Sequence, residues 1–278
     1  MKIYRTSAGI VIENKQNFYQ SNQKDWNSYL NRNDLRAQLE AEIATLTAVG
    51  DAQWLATQTI LAPIEKQEIW AAGVTYMRSK NARMEESKDA GGGSFYDRVY
   101  DAERPEIFFK ATAHRTVGPG GKVRIRKDST WDVPEPELTL CVTSSGKIVG
   151  YTIGNDMSSR SIEGENPLYL PQAKSYDGCA ALGPCVYVPA GLLPTDTRIS
   201  LTIRRKEQIV FENSIGIDQM KRGHQELVSF LYRECSFPDG CFLMTGTGIV
   251  PPNDFTLQSN DEIFITIQHI GTLHNVVA

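Results

Sequence analysis

The sequence predicts an α+β protein that is mainly β: a mixed β-sandwich roll with a small α/β unit at its N-terminus. Three observations lead there. Short apolar runs of strand character recur along the whole chain, and few stretches carry a helical period. Strands and helices also fail to alternate in the way that a parallel βαβ sheet requires.

In chain order, Lys2-Ile3-Tyr4-Arg5 and Ile10-Val11-Ile12, broken at Ser7-Ala8-Gly9, read as a hairpin. From Lys24 to about Val49 the residues Trp26, Tyr29, Leu30, Leu35, Leu39, Ile43 and Leu46 recur at near-helical spacing. Asp25 or Asn27 serves as a cap, and Asn31-Arg32-Asn33-Asp34 divides the stretch into two helices. Residues 1–65 hold no constellation of chemical groups and read as a small accessory domain; residues 66–278 read as the main domain. Glu68 to Tyr76 is a buried strand, and Met77 to Lys88 is charged and helix-like. Gly91-Gly92-Gly93-Ser94 then breaks the pattern, so residues 77 to 100 read either as a hinged lid or as an ordinary surface helix and loop. Pro105 to Lys110 and Val123-Arg124-Ile125-Arg126 are strands. Cys179 to Pro189 is a buried run, Arg198–Arg204 and Gln208–Phe211 form a hairpin, and Gln219 to Cys235 is a helix. Cys241 to Gly248 and Glu262 to Ile267 complete the sheet.

With 41% hydrophobic and 22% charged residues over 278 positions, the composition is that of an ordinary globular protein. A net charge of -4 without a basic run argues against nucleic-acid binding. No apolar stretch approaches a membrane span, and Met1-Lys2-Ile3-Tyr4-Arg5 lacks a signal core. The 5 cysteines contain no C-x-x-C, and an odd number without a secretion signal favours reduced thiols and a cytoplasmic location.

The chemistry concentrates between Trp131 and Lys174. Glu135 and Glu137, two apart on a strand, point to one face, while Leu138, Leu140 and Val142 point to the other. Paired carboxylates repel unless a proton or a metal ion lies between them. Asp156 follows the strand-like run Lys147 to Ile153 and supplies a third carboxylate. Three oxygen donors with no adjacent His or Cys suit a hard cation, Mg2+ before Mn2+ or Ca2+. The alternative is a solvated acidic strand face.

As a set, Asp132-x-x-Glu135-x-Glu137-Leu138, Gly154-Asn155-Asp156-x-Ser158-x-Arg160, Ala173-Lys174-Ser175, Thr245-Gly246-Thr247 and Ile270-Gly271-Thr272-Leu273-x-Asn275 resemble the fumarylacetoacetate hydrolase family, in the family's order. The resemblance covers roughly residues 70 to 278 and implies the fold of that family's C-terminal domain. It also implies Glu135, Glu137 and Asp156 as ligands of Mg2+ or a similar ion, Lys174 beside the substrate, and a homodimer or homotetramer.

One segment departs from the hydrolytic and decarboxylating members. There, the strand before the lid ends in a Tyr followed by His three residues on and Glu six on, a pair that activates water. Here Tyr76 is followed by Ser79 and Ala82 at those positions. The motif Gly73-Val74-Thr75-Tyr76-x-x-Ser79-x-x-Ala82-Arg83 instead resembles the branch containing 2-keto-3-deoxy-D-arabinonate dehydratase. That implies a small-molecule 2-keto acid substrate and dehydration through a metal-stabilised enolate, which needs an acid and a base but no nucleophilic water. Lys174 is then either the proton-transfer group, with a pKa lowered by the cation, or a permanent cation holding the substrate carboxylate. Glu163 is either the acid that releases the C4 hydroxyl or a surface residue. Thr247, Ser79, Arg78 and Tyr76 are expected substrate contacts. Lys110 and Arg160 lie near the site, where an ion-pairing role competes with substrate contact. Competing functions are hydrolysis or decarboxylation of acylpyruvate-type diketo acids, isomerisation of unsaturated keto diacids, and a non-catalytic metal-binding role.

Overall fold

The structure, a computed structural model, describes residues 1–86 and 93–278. Gly91 and Gly92 of the expected hinge lie outside the described residues. The chain opens on a meander of β1 (Lys2–Thr6), β2 (Gly9–Asn14) and β3 (Asn17–Gln20), one strand more than the expected hairpin. Two short helices follow, α1 (Trp26–Leu30) and α2 (Leu35–Ile43), with the Asp25 carboxylate capping α1 through the Asn27 N–H. Next come β4 (Ala48–Gly50), α3 (Ala52–Ala56), β5 (Glu68–Gly73), α4 (Met77–Glu86), α5 (Gly93–Asp101), β6 (Glu106–Thr112), β7 (Thr116–Val117) and β8 (Lys122–Val123). The centre holds β9 (Asp132–Val142), β10 (Ile148–Ser159), α6 (Arg160–Glu165), α7 (Leu170–Lys174) and β11 (Ala180–Tyr187). The chain closes with β12 (Arg198–Arg205), β13 (Gln208–Gly216), α8 (His224–Leu231), β14 (Cys241–Met244), β15 (Glu262–Ile267) and β16 (Gly271–Val277).

One 11-stranded sheet runs β4-β3-β2-β1-β11-β10-β9-β14-β5-β6, with β7 joined to β11. A 5-stranded sheet runs β13-β12-β15-β16-β8. The pairs β7–β11, β5–β14 and β8–β16 are parallel and the longer ladders antiparallel, so the mixed, mainly β architecture is as expected. Strand β12 shows how the layers form: Ile199, Leu201 and Ile203 alternate inward while Arg198 and Arg204 face out. They meet Leu138, Leu140 and Val142 of β9 in one core. The other face of the large sheet packs Cys141, Ile69 and Phe242 against Trp26, Leu35 and Leu39 of the N-terminal helices. Each such fully buried apolar side chain contributes about 1.5–3 kcal/mol. Strand β9 is therefore buried from end to end.

Two prolines inside β9 need an explanation, because proline removes a ladder donor. Strand β14 pairs only with the Thr139–Val142 part of β9. Beyond it, the carbonyls of Leu138 and Asp132 accept from the N–H groups of Thr245 and Leu257 on the side away from β10. Pro134 and Pro136 share this parity, so their missing N–H groups face that side and take nothing from the β10 ladder.

Some sequence expectations change in detail. The expected helix over Gln219–Cys235 is confined to α8, because Met220 forms a β-bridge with Tyr76 and the Lys221 N–H donates to the Thr75 carbonyl. Gly223 then starts the helix. The strand expected over 123–126 is reduced to β8. Asn275, from the late motif, fastens a turn by donating to the carbonyls of Gly118 and Gly121. No helix among the described residues is long and apolar enough to cross a membrane.

Candidate active site

The antiparallel register of β9 and β10 builds the site. Asp156 lies directly opposite Glu135, and directly opposed residues share a face, as do Glu135 and Glu137. One carboxylate oxygen from each of Glu135, Glu137 and Asp156 lies within 4.8 Å of the others, and all three residues are buried. The solvated-face alternative is thereby excluded.

Charges from four directions surround the triad. Lys174, ending α7, brings its ammonium to Glu135 Oε2 (2.5 Å), Ser158 Oγ (2.6 Å) and Asp156 Oδ2 (3.1 Å). Lys110, on β6, reaches Asp156 Oδ1 at 2.6 Å and donates to the carbonyls of Met157 and Lys174. Arg160, the first residue of α6, pairs with Glu135 through Nη2. Arg83, from α4, pairs with Glu163 Oε1 at 2.9 Å, and Glu163 also lies 3.4 Å from the Lys174 ammonium and 3.6 Å from Arg160 Nε. Glu163 is thus buried rather than a surface residue.

These surroundings separate the acids electrostatically. Burial raises the Glu135 pKa, yet Lys174, Arg160 and Arg83 overcome this and hold it well below the ordinary range. Burial likewise opposes ionisation of Glu163, and Arg83, Lys174 and Arg160 hold its pKa low. Glu137 goes the other way: burial, then Asp156 and Glu135, push it well above the ordinary value. For Lys174, burial pulls the pKa down, but Asp156, Glu135 and Glu163 more than reverse this and raise it; the lowering expected from a bound cation is a separate effect.

Strand β5 delivers the remaining residues. It ends at Gly73, after which Val74 takes a φ of 53°, an uncommon conformation for a β-branched residue. The chain turns there, and Thr75 Oγ1 donates to the Thr245 carbonyl at 2.7 Å. This brings the Gly246 turn against the site, where the Gly246 N–H donates to Glu137 Oε2 at 2.5 Å. Gly246 has a φ of 93°, and a Cβ there would lie 2.1 Å from Thr75 Oγ1 and 2.9 Å from the Ala72 carbonyl. Replacing Gly246 by Ala is expected to cost about 1–3 kcal/mol of stability and to weaken metal binding by displacing the N–H from Glu137. Urea unfolding in chelator and calorimetric Mg2+ titration measure the two effects; wild-type values in both would remove this turn from the site.

Among the expected substrate contacts, Tyr76 is buried with a hydroxyl that has no hydrogen-bond partner among the described residues. Burial and then the Glu137 charge raise its pKa. Thr247 is buried on the same turn and exchanges hydrogen bonds with Ile249. Ser79 Oγ donates to the Tyr76 carbonyl and accepts from its N–H, which fixes the start of α4. Arg78 lies exposed on α4, and Lys110 is engaged below the triad with Asp156. Two residues escaped the sequence reading, Arg83 and Glu106. Arg83 sits just past the lid motif, and Glu106 is a lone acid in an apolar strand, a weak signal in each case.

The residues fit a divalent cation. The donor set is all oxygen and buried, burial and then the charges of Asp156 and Glu135 raise the Glu137 pKa, and the nearby Tyr76 hydroxyl has no hydrogen-bond partner among the described residues. Fold and site together define a β-rich protein with a buried acidic triad able to hold a hard cation. Residues 69–278 match the model of the fumarylacetoacetate hydrolase C-terminal domain, and the chain belongs to that family. Over 216 residues it is 51% identical to the probable 2-keto-3-deoxyxylonate dehydratase of Haloferax volcanii, covering 77% of this chain and 73% of that protein. It is 45% identical over 216 residues to the 2-dehydro-3-deoxy-D-arabinonate dehydratase of Saccharolobus solfataricus, covering 77% and 72%. Among solved structures it is similar to 2-keto-3-deoxy-D-arabinonate dehydratase complexed with magnesium and 2,5-dioxopentanoate, with a TM-score of 0.85 and 37% identity over 100% of this chain and 98% of that one.

Proposed function

We propose that the chain is a Mg2+-dependent hydro-lyase that dehydrates a 2-keto-3-deoxy sugar acid, such as 2-keto-3-deoxy-D-arabinonate, to 2,5-dioxopentanoate. The observation that carries this reading is the buried Glu135–Glu137–Asp156 triad beside Lys174 in a chain that has Ser79 and Ala82 where water activation would need His and Glu. Glu135, Glu137 and Asp156 hold the cation, which when bound supplies Lewis-acid polarisation of a 2-keto acid.

Lys174 has four oxygen neighbours that keep it an ammonium, which supports the role of a permanent cation facing an anionic substrate over that of a base. Glu163, gripped by Arg83, Lys174 and Arg160, is better suited to anchor those cations than to release a proton. Tyr76 and Thr247 are the substrate contacts the geometry supports. Lys110 and Ser79 spend their polar atoms on protein partners, and Arg78 would reach the substrate only from the solvent side of α4. Helices α4 and α5 form the lid, joined by the Lys80–Asp97 pair at 2.7 Å; Arg222 donates to the carbonyls of Val99 and Ala102 and so ties down the end of α5. In this reading residues 66–278 carry catalysis and residues 1–65 are accessory. The enzyme acts in the cytoplasm as a homodimer or homotetramer.

The test is a product assay with 2-keto-3-deoxy-D-arabinonate and Mg2+. Semialdehyde is expected, lost with chelator and restored by Mg2+. Cleavage of an acylpyruvate with no dehydration would overturn the reading.

A further inference from the structure

We propose that the outer half of the site is an apolar subsite for a methyl-terminated tail, so that the enzyme also dehydrates six-carbon 2-keto-3-deoxy acids whose C6 is a methyl group. This rests on the dehydratase reading and adds a second substrate class to it. A cavity of about 590 Å3 lies between α5, which contributes Phe95, Tyr96 and Val99, and the segment Asn166, Pro167 and Leu168. Its walls lead back to the charged cluster. The Arg83 guanidinium lies 5.6 Å from the Tyr96 ring centre and pairs with Glu163 at 2.9 Å, and Glu163 is 3.4 Å from the Lys174 ammonium. On the opposite wall, Asn166 ends α6, the helix that Arg160 begins. A 2-keto acid whose carboxylate faces Lys174 thus sends its far carbons toward Phe95 and Leu168.

The lining of this outer space contrasts with the shell around the triad. Phe95, Val99, Pro167 and Leu168 have no polar side-chain atom, and among the described residues no Lys, Arg or His lines the cavity. Asn166 Oδ1 already accepts from the Leu168 N–H at 2.9 Å. A carboxylate at the far end of a substrate would find no cation here, and a desolvated charge without a partner is costly. A far hydroxyl would give up water for few partners. A methyl group gives up nothing. Phe95 and Leu168 are 63% and 83% exposed, so apolar surface remains to be covered when a tail binds. One such residue alone would be ordinary, but these two line one cavity that adjoins the site. The volume lies inside the range of about 300–1,000 Å3 usual for small-molecule sites, which leaves room for a sixth carbon.

The reaction balances for such a substrate. A proton leaves C3, its electron pair goes to form C3=C4, and the C4 hydroxyl departs with a proton as water. C5 then gives up a proton while C3 takes one, which moves the double bond to C4=C5. This enol takes a proton at C4 and loses the one on its C5 oxygen. The product is the methyl ketone 2,5-dioxohexanoate where the five-carbon acid gives an aldehyde. One water is lost, and no oxidant or reductant is required.

The test begins with binding, read by calorimetry in Mg2+ for three six-carbon acids that lack a C4 hydroxyl and so cannot be dehydrated. These are 2-ketohexanoate, 6-hydroxy-2-ketohexanoate and 2-ketoadipate, which differ only in a terminal methyl, hydroxymethyl or carboxylate. The first is expected to bind about 10–100-fold more tightly than the other two. Turnover is then measured for both C5 epimers of the methyl-terminated 2-keto-3-deoxy acid, and kcat/KM for the better one is expected to match or exceed that of the five-carbon acid. Leu168→Asn and Val99→Thr are each expected to shrink the preference for 2-ketohexanoate over its hydroxylated form by about tenfold; either serves should the other not fold. Binding of 2-ketoadipate as tight as that of 2-ketohexanoate, or a preference that neither variant moves, would overturn the subsite. So would dehydration of the five-carbon acid with none of either methyl-terminated epimer, and the apolar rim would then be left for a second copy of the chain to cover. The expected binding order in an enzyme that dehydrates neither acid would instead overturn the dehydratase reading and leave the apolar subsite in place.

Discussion

In the presence of chelator, Glu137→Gln is expected to melt at a higher temperature than wild type at neutral pH, while losing all stabilisation by Mg2+ and all Mg2+-dependent turnover. Burial and the charges of Asp156 and Glu135 raise the pKa of Glu137 in the folded chain. Folding therefore favours the protonated form. The stability linked to that proton is complete below the unfolded glutamate value near about 4.3 and is lost as pH rises through the raised folded value. Glutamine mimics the protonated acid and has nothing to lose, so the difference in Tm is near zero in acid and opens as pH increases. Mg2+ acts in the opposite direction. For wild type, Mg2+ at 100 times its Kd adds about 2.7 kcal/mol of stability. Loss of an outer hydrogen-bond partner of a metal ligand already costs about 10–100-fold in affinity or activity, and loss of a ligand is expected to exceed that. Thermal melts over a pH series with and without Mg2+ measure both effects; a wild-type Mg2+ response in Glu137→Gln would remove this residue from the metal site.

Lys174→Met is expected to damage the metal-free protein more than any single change on the molecule's outer surface. It removes one ammonium that serves Glu135, Asp156 and Glu163 at once, all of them buried. Removing one partner of a buried ion pair costs about 3–5 kcal/mol, which for a chain of this size lowers Tm on the order of 10 °C. Saturating Mg2+ is expected to recover part of that loss, because it neutralises two of the same carboxylates. Turnover should stay low in the recovered protein: deleting a buried cation that faces an anionic group costs about 2–5 kcal/mol, or roughly 30- to 5,000-fold. A melt within experimental scatter of wild type, in chelator, would show that the network does not hold the site together.

The ligand set was legible because it depends on local spacing: Glu135 and Glu137 two apart on a strand, and Asp156 after a second apolar run. The register that sets Asp156 opposite Glu135 was not, since pairing partners are not written into either strand alone. The same limit hid Arg83, whose pairing with Glu163 arises only when α4 packs against α6. The helix expected over Gln219–Cys235 has good local propensity, but its first residues are claimed by Thr75 and Tyr76, about 145 positions earlier in the chain. Asn275, quoted only as part of a motif that carries the resemblance, holds a turn.

Strand β1 sits beside β11, and the N-terminal amine donates to the Val188 carbonyl across 187 positions of sequence. Strand β1 is thus synthesised well before β11, the strand beside which it takes its place. The β1–β2–β3 meander can form early on its own, but during synthesis it presents an apolar edge with no partner, open to β-pairing with other nascent chains. Such long-range closure makes for slow folding, with the edge joined late. In heterologous production, yield should therefore respond more to slowed translation and lowered temperature than to any change around the carboxylates.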